Sequence, residues 1–235
     1  MTYCYPGPVA DVGSNNEPAN VTCTRLNEGV SVLFARADSC YFELRADVWD
    51  AARDARRFVG DGPVIVHPPC RGWGRLSHQS VATDEEKAMG IFAAEQVRRC
   101  GGVLEHPWAS KLFKAAGLPK PSDGLDAWGG FTILIDQGWF GHAAPKPTWI
   151  YICGVDRRDV PGVPVTRTRA KGRTLELPVA QREATPPDLA KWLLLLAARC
   201  NTPKKGAVTC IDRSAVTRGQ GRRNSYVDLT DQLIG

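Results

Sequence analysis

The chain has 235 residues, 43% hydrophobic and 23% charged, a balance that excludes whole-chain disorder and collagen-like structure. Its longest apolar run, 192–198, is far short of the roughly 20 residues that span a bilayer, so no membrane span is expected. The opening Met1-Thr2-Tyr3-Cys4-Tyr5-Pro6 lacks the basic and apolar regions of a secretory signal. Eight cysteines are spread along the chain with no CxxC pair, which argues against a zinc ribbon or a disulfide scaffold. Reduced thiols and a cytoplasmic location are expected.

The net charge of +5 is uneven. Residues 157–173 carry Arg157, Arg158, Arg167, Arg169, Lys171 and Arg173 against Asp159 alone. Residues 199–223 carry Arg199, Lys204, Lys205, Arg213, Arg218, Arg222 and Arg223 against Asp212 alone. The rest of the chain is therefore net acidic. Basic segments on an acidic body suit a polyanionic partner, with a merely solvated loop and tail as the plainer reading.

In chain order, residues 1–29 read as an irregular extension, 30–35 and 41–44 as short strands, and 48–58 as a helix, acidic early and basic late. The break at Gly60-Asp61-Gly62-Pro63 precedes a buried strand at 64–66, which runs into His67-Pro68-Pro69-Cys70. Residues 84–100 form the best helix, with Thr83 as N-cap, Glu86 at the capping-box position and Gly101-Gly102 as its end. A strand at 103–104 leads into Glu105-His106-Pro107, and 110–116 is a short helix. Strands are expected at 131–136 and 148–153, then a helix at 188–199 opened by Pro186-Pro187.

This alternation describes an α/β, doubly wound, Rossmann-like sheet over residues 30–200, with a short basic insert at 154–183 and a basic flexible tail at 201–235. In such sheets reactive groups sit at the carboxyl ends of the strands, where Cys70 and Glu105 both fall. A cysteine behind two prolines is rigidly held, but it is nucleophilic only as thiolate, and His67, Arg71 and Arg75 are near enough in sequence to promote that state.

VIVHPPCRGWGRL (64–76) resembles the cysteine loop of the DNA cytosine-C5 methyltransferases, and GGVLEHPW (101–108) resembles their Glu-Asn-Val motif. EATPPDLAKWLL (183–194) is similar to the family's last motif, a Pro-Pro step opening a helix beside the cofactor. Short phage- and prophage-type members share HPPC, a Glu-Pro step and a Gly-His-x-x-x-Lys-x-Thr-Trp segment, here Gly141 to Trp149. The resemblance covers roughly residues 44–199. It implies a methyltransferase-like fold, S-adenosylmethionine as cofactor, and DNA cytosine as substrate, in the host cytoplasm if the chain is phage-encoded.

Carried over residue by residue, the resemblance makes Cys70 the nucleophile that adds to C6 of the pyrimidine, and Glu105 the acid that contacts N3 and the exocyclic amine. His67 and His106 join them as candidate acid–base groups. Pro69, Arg71, Arg75, Trp73, Trp108, His142 and Lys146 are candidate substrate contacts, with Trp73 and Trp108 near enough to stack on a base and core packing as the plainer reading of the tryptophans. Asp47 and Asp50 are candidates for the cofactor ribose, and Pro186 and Pro187 for the cofactor's other side.

The sequence departs from the family at several points. No glycine lies between Gly29 and Gly60, where the family has its Phe-x-Gly-x-Gly cofactor loop. His106 replaces the asparagine after the glutamate, Arg71 replaces the glutamine after the cysteine, and the Gln-x-Arg-x-Arg motif is absent. About 30 residues separate the Trp149 strand from the Pro-Pro helix, a short stub for reading bases.

Three other readings stand beside methylation of DNA. The same Cys70 addition can serve a different donor or a free pyrimidine nucleotide. The chain can be a non-catalytic nucleic-acid-binding or anti-defence factor. His67, His78, His106 and His142, completed by Cys70 or Glu105, can instead form the metal site of a hydrolase or deaminase. Oligomeric state is left open.

Overall fold

Residues 29–74, 77, 81–164, 172–203 and 205–206 are described by a computed structural model of the chain. Six strands form one mixed sheet: β1 (Ser31–Leu33), β2 (Asp47–Trp49), β3 (Val64–Val66), β4 (Gly102–Pro107), β5 (Phe131–Asp136) and β6 (Pro147–Cys153), in the order β2-β1-β3-β4-β6-β5. The first four are mutually parallel, and β1 and β3 at their centre are short runs buried on both faces. β6 runs antiparallel to both β4 and β5 and lies between them, a reversal that the doubly wound expectation did not contain.

Side chains alternate between two cores. Val32, Ile65, Val103, Ile150 and Ile152 face α4 (Pro187–Ala197), through Leu189, Leu193 and Leu196. Leu33, Val64, Val66, Leu104 and Tyr151 face α1 (Asp84–Cys100) and α2 (Lys111–Ala115), through Ala93, Val97, Leu112 and Phe113. A short third helix in chain order, α3 (Val179–Glu183), buries no residue and leads into α4.

The local chemistry of α1 follows its sequence. Thr83 Oγ1 accepts from the Glu86 amide at 3.2 Å, while the Glu86 carboxylate accepts from the Thr83 amide at 3.1 Å. The helix ends at Gly101 with φ 82°. Gly102 follows at φ 127° and starts β4, where a Cβ would stand 1.9 Å from the Val64 carbonyl oxygen. Only glycine permits that approach of the two strands.

Two expected elements are replaced. Residues 41–44 are turns, not a strand, and residues 48–58 contain β2, a turn and a single 3-10 turn at Ala55–Arg57 instead of a helix. Val48 is buried and pairs with Val32, which claims it for the sheet. Asp50 accepts from the amides of Ala52 and Arg53, both at 3.0 Å, and Asp54 accepts from the Arg56 amide at 3.2 Å. These short acids satisfy local backbone in turn geometry, and so compete with the helix that charge order alone suggests.

The Glu105-His106-Pro107 step belongs to β4 itself rather than to a loop after it. Within the basic insert, 3-10 turns occupy Arg157–Asp159 and Thr174–Glu176. The expected irregular extension up to residue 28 and the expected tail from residue 207 lie outside the described residues, as do Arg75 and His78. No helix among the described residues is long and apolar enough to cross a membrane.

Candidate active site

The strand order reverses between β1 and β3, and a cleft of about 610 Å³ opens there at the carboxyl ends of the parallel strands. It is lined by the loop after β1 (Phe34 to Cys40), the loop after β3 (His67 to Arg71), Glu105 and Pro107 of β4, Lys146, and the segment joining α3 to α4. Cys70 and Glu105, 35 positions apart in sequence, meet in this cleft because β3 and β4 are parallel neighbours.

Glu105 is the most constrained group. Its side chain is 13% exposed. One oxygen, Oε2, accepts from His67 Nδ1 at 3.1 Å, and the other, Oε1, accepts from the Gln137 amide at 2.8 Å. Burial alone would raise this carboxyl, but the His67 hydrogen bond and charge, with Lys146 behind them, outweigh it and hold the group at about 2. Glu105 is therefore a carboxylate at neutral pH.

The partners are themselves fixed. Gln137 also donates to Thr148 Oγ1 at 3.1 Å, and the Thr148 hydroxyl donates to the Lys146 carbonyl at 2.9 Å. His67 Nε2 lies 3.1 Å from the hydroxyl of Tyr41, which is fully buried. Neither Tyr41 nor Gln137 was a candidate from the sequence. Tyr41 lies in a turn where the sequence suggests a strand, and Gln137 reaches Glu105 only through the hairpin of β5 and β6.

Cys70 sits on the exposed rim of the cleft. Burial of the sulfur and the charges of Glu105 and Glu183 push its thiol up, while Lys146 opposes them. At rest this is a thiol with acidic neighbours among the described residues, where His67 and Arg71 suggest an electropositive setting; Arg75 lies outside the described residues. Arg71 is drawn away to an ion pair with Glu86. Arg36 holds Asp38 at 2.8 Å and Glu183 at 3.0 Å, tying the loop after β1 to the end of α3 across the cleft.

Of the remaining candidates, Pro69, Arg71, Lys146 and Pro187 line the cleft, and Pro186 is the buried N-cap of α4 beside it. Four others do not reach it. Trp73 and Trp108 pack against the α1-side core, and the Trp73 carbonyl anchors Lys111 and Ser110 of α2. His142 is buried, with Nδ1 against the Ala144 backbone.

His106 is the fourth, because neighbouring residues of a strand face opposite sides of the sheet. It is fully buried, and among the described residues neither ring nitrogen has a hydrogen-bond partner of sound geometry, although the Pro69 carbonyl lies toward it. Burial pushes its ring down to about 4, against the pull of Glu105. Among the described residues no three His, Cys, Asp or Glu side chains are grouped to hold a metal ion.

The residues at the β1 and β2 ends do not form an adenosyl cradle. Phe34 occupies the first loop position at φ 62°, with its ring packed edge-on against Phe92. The Arg36–Asp38–Glu183 ion pairs fill the positions beyond it. Asp47 lies at the amino-terminal end of β2, bonded to Ser31 and Arg53, and Asp50 spends its carboxylate on its own turn. No acid at the end of β2 faces the cleft, and S-adenosylmethionine is not matched by the side chains present.

No family model, curated protein or solved structure matches the chain.

Proposed function

We propose that the cleft binds a pyrimidine base, cytosine in preference to uracil, and activates its C5 position by covalent addition of Cys70 to C6. The observation that carries this reading is the placement of Cys70 beside a carboxylate, Glu105, whose two oxygens each already accept one hydrogen bond from the protein. A carboxylate has about four lone-pair sites, so roughly one remains on each oxygen for a ligand. Two adjacent acceptors match a cytosine edge protonated at N3, which presents N3–H beside an exocyclic N–H. Uracil sets its O4 acceptor against one of them.

The chemistry balances within the site. The Cys70 thiol gives its proton to water, and the sulfur electron pair forms the bond to C6. The C5=C6 pair becomes C4=C5 and the C4=N3 pair moves onto N3, which is already protonated, becomes neutral and keeps its N–H hydrogen-bonded to Glu105. The product is an enamine, nucleophilic at C5. With water as the only electrophile, C5 gains a solvent proton, loses its original one, and expulsion of sulfur restores the ring.

Substrate binding also supports activation of the thiol. A cationic base edge neutralises Glu105, one of the charges that push Cys70 up, while Lys146 remains to favour thiolate. A base within duplex DNA has to leave the stack to reach the cleft. The exposed Arg157 and Arg158 and the basic insert support a nucleic-acid substrate over a free nucleotide.

Deuterium incorporation at cytosine C5, followed in D2O with single-stranded DNA, duplex DNA and dCMP, tests this reading. Exchange is expected in the wild type, abolished in Cys70→Ala and reduced about 100-fold or more in Glu105→Gln. Exchange that persists in Cys70→Ala overturns it, as does salt-dependent DNA binding without exchange on any substrate.

A further inference from the structure

We propose that Tyr41 is a positioning residue for Glu105: its hydroxyl fixes His67 as the Nδ1–H tautomer, so that His67 always donates to Glu105 and holds it as a carboxylate facing the cleft. This rests on the reading of Glu105 as the base-binding acid.

For the neutral imidazole the geometry admits one consistent arrangement of protons. Tyr41 is 0% exposed, and the hydrogen bond of its hydroxyl among the described residues is to His67 Nε2, at 3.1 Å. A buried hydroxyl needs an acceptor, and Nε2 provides one only when it carries no proton. The ring proton then sits on Nδ1, 3.1 Å from Oε2 of an acceptor-only carboxylate. The opposite tautomer would leave the Tyr41 proton without an acceptor and set the Nδ1 lone pair against those of Glu105. Burial also pushes the Tyr41 phenol well above its usual range, so it acts as a fixed donor rather than as a proton carrier.

Tyr41 is itself held by the fold. Its carbonyl accepts from Ala46 at 3.1 Å in the turn that feeds β2, and its ring lies against the His67 ring at 5.5 Å. The groups facing Glu105 are His67 from the loop after β3, Gln137 from the segment after β5, Lys146 ahead of β6 and Cys70 across the cleft, while His106, next on its own strand, acts on it only electrostatically from the opposite face. Gln137 offers an amide that only donates there, so His67 is the hydrogen-bonding neighbour whose proton can change sides. Tyr41 removes that freedom.

The test needs no substrate. In the wild-type full chain, 15N NMR of the imidazole is expected to show His67 protonated at Nδ1 and bare at Nε2. In Tyr41→Phe, which keeps the ring, the Nε2–H tautomer is expected to become populated. The acid limb of C5 exchange is then expected to move up by about one pH unit or more, because a carboxylate that loses its donor is more easily protonated. A wild-type His67 protonated at Nε2 overturns the proposal, and that spectrum decides even if the variant does not fold. An unchanged tautomer in a folded Tyr41→Phe also overturns it. Absence of exchange in the wild type overturns base addition instead, and leaves the tautomer measurement to stand by itself.

Discussion

His67 Nδ1 lies 3.1 Å from Glu105 Oε2, a hydrogen bond that joins the loop after β3 to β4 and turns two neighbouring strand ends into one site. The parallel pairing of Val66 with Leu104 sets the distance, since it brings His67, just beyond β3, level with Glu105 within β4. Glu105 thereby acquires a fixed ionisation state, and Cys70 acquires a negatively charged neighbour.

That neighbour predicts the reactivity of the thiol. Alkylation of Cys70 by iodoacetamide, followed by peptide mass spectrometry near pH 7.5, is expected to be slow in the free protein. Glu105→Gln removes a charge that pushes the thiol up and should speed the reaction several-fold. Lys146→Ala removes an opposing charge and should slow it. The reverse order of rates would contradict the electrostatic description of the cleft.

His106 predicts a pH dependence of stability. Its ring is pushed down to about 4, below the 6.5 of an exposed histidine. Between those values the unfolded chain binds a proton that the folded chain refuses. The stability is fully present above about pH 6.5 and is lost as pH falls towards 4, a change of roughly 3 kcal/mol. Urea titrations across this window should show the loss in the wild type and a flatter profile in His106→Leu. A profile that His106→Leu leaves equally steep would assign the pH dependence elsewhere.

Glu105 contributes with the same slope in a lower window. Its folded-state value of about 2 lies below that of an unfolded carboxyl, so its stabilisation is complete above about pH 4.5 and lost towards pH 2. Glu105→Gln should therefore be less stable than the wild type at pH 7, with the difference shrinking below pH 4. A difference that stays constant across that range would contradict the assigned ionisation state.

Much of this was legible in the sequence, and the failures have particular causes. Val64-Ile65-Val66, the Thr83–Glu86 capping box and the Gly101-Gly102 break each carry their signal within a few residues, and they place Cys70 and Glu105 at one sheet edge. Tyr41 and Gln137 were missed because their roles depend on contacts across 26 and 32 positions of sequence. His106 was wrongly grouped with Glu105 because β4 continues through Pro107, and strand alternation then sends the two side chains to opposite faces. Trp73 and Trp108, beyond Cys70 and Glu105, belong to the α1-side core, as the plainer of their two readings has it.

The opposite end of the sheet offers a control away from the cleft. Asp126 accepts from Arg98 at 2.9 Å, from the Tyr151 hydroxyl at 2.8 Å and from the amides of Trp128 and Gly130, each at 2.9 Å. Arg98 and Asp126 side chains are only 12% and 9% exposed. Asp126→Ala should cost about 3–5 kcal/mol in urea unfolding, because it leaves Arg98 buried without its counter-charge. Its folded fraction should retain the C5 exchange rate per molecule. A rate lost in step with Cys70→Ala would contradict the separation of this network from the cleft.

The most direct measurement is denaturing intact-mass spectrometry of the protein mixed with a single-stranded oligonucleotide carrying 5-azacytosine, an electron-poor ring that retains a thiol added at C6. The predicted result is a species at the summed mass of protein and oligonucleotide, linked through Cys70, present in the wild type and absent in Cys70→Ala. A wild-type protein that forms no adduct, or an adduct that survives in Cys70→Ala, would contradict covalent addition by Cys70.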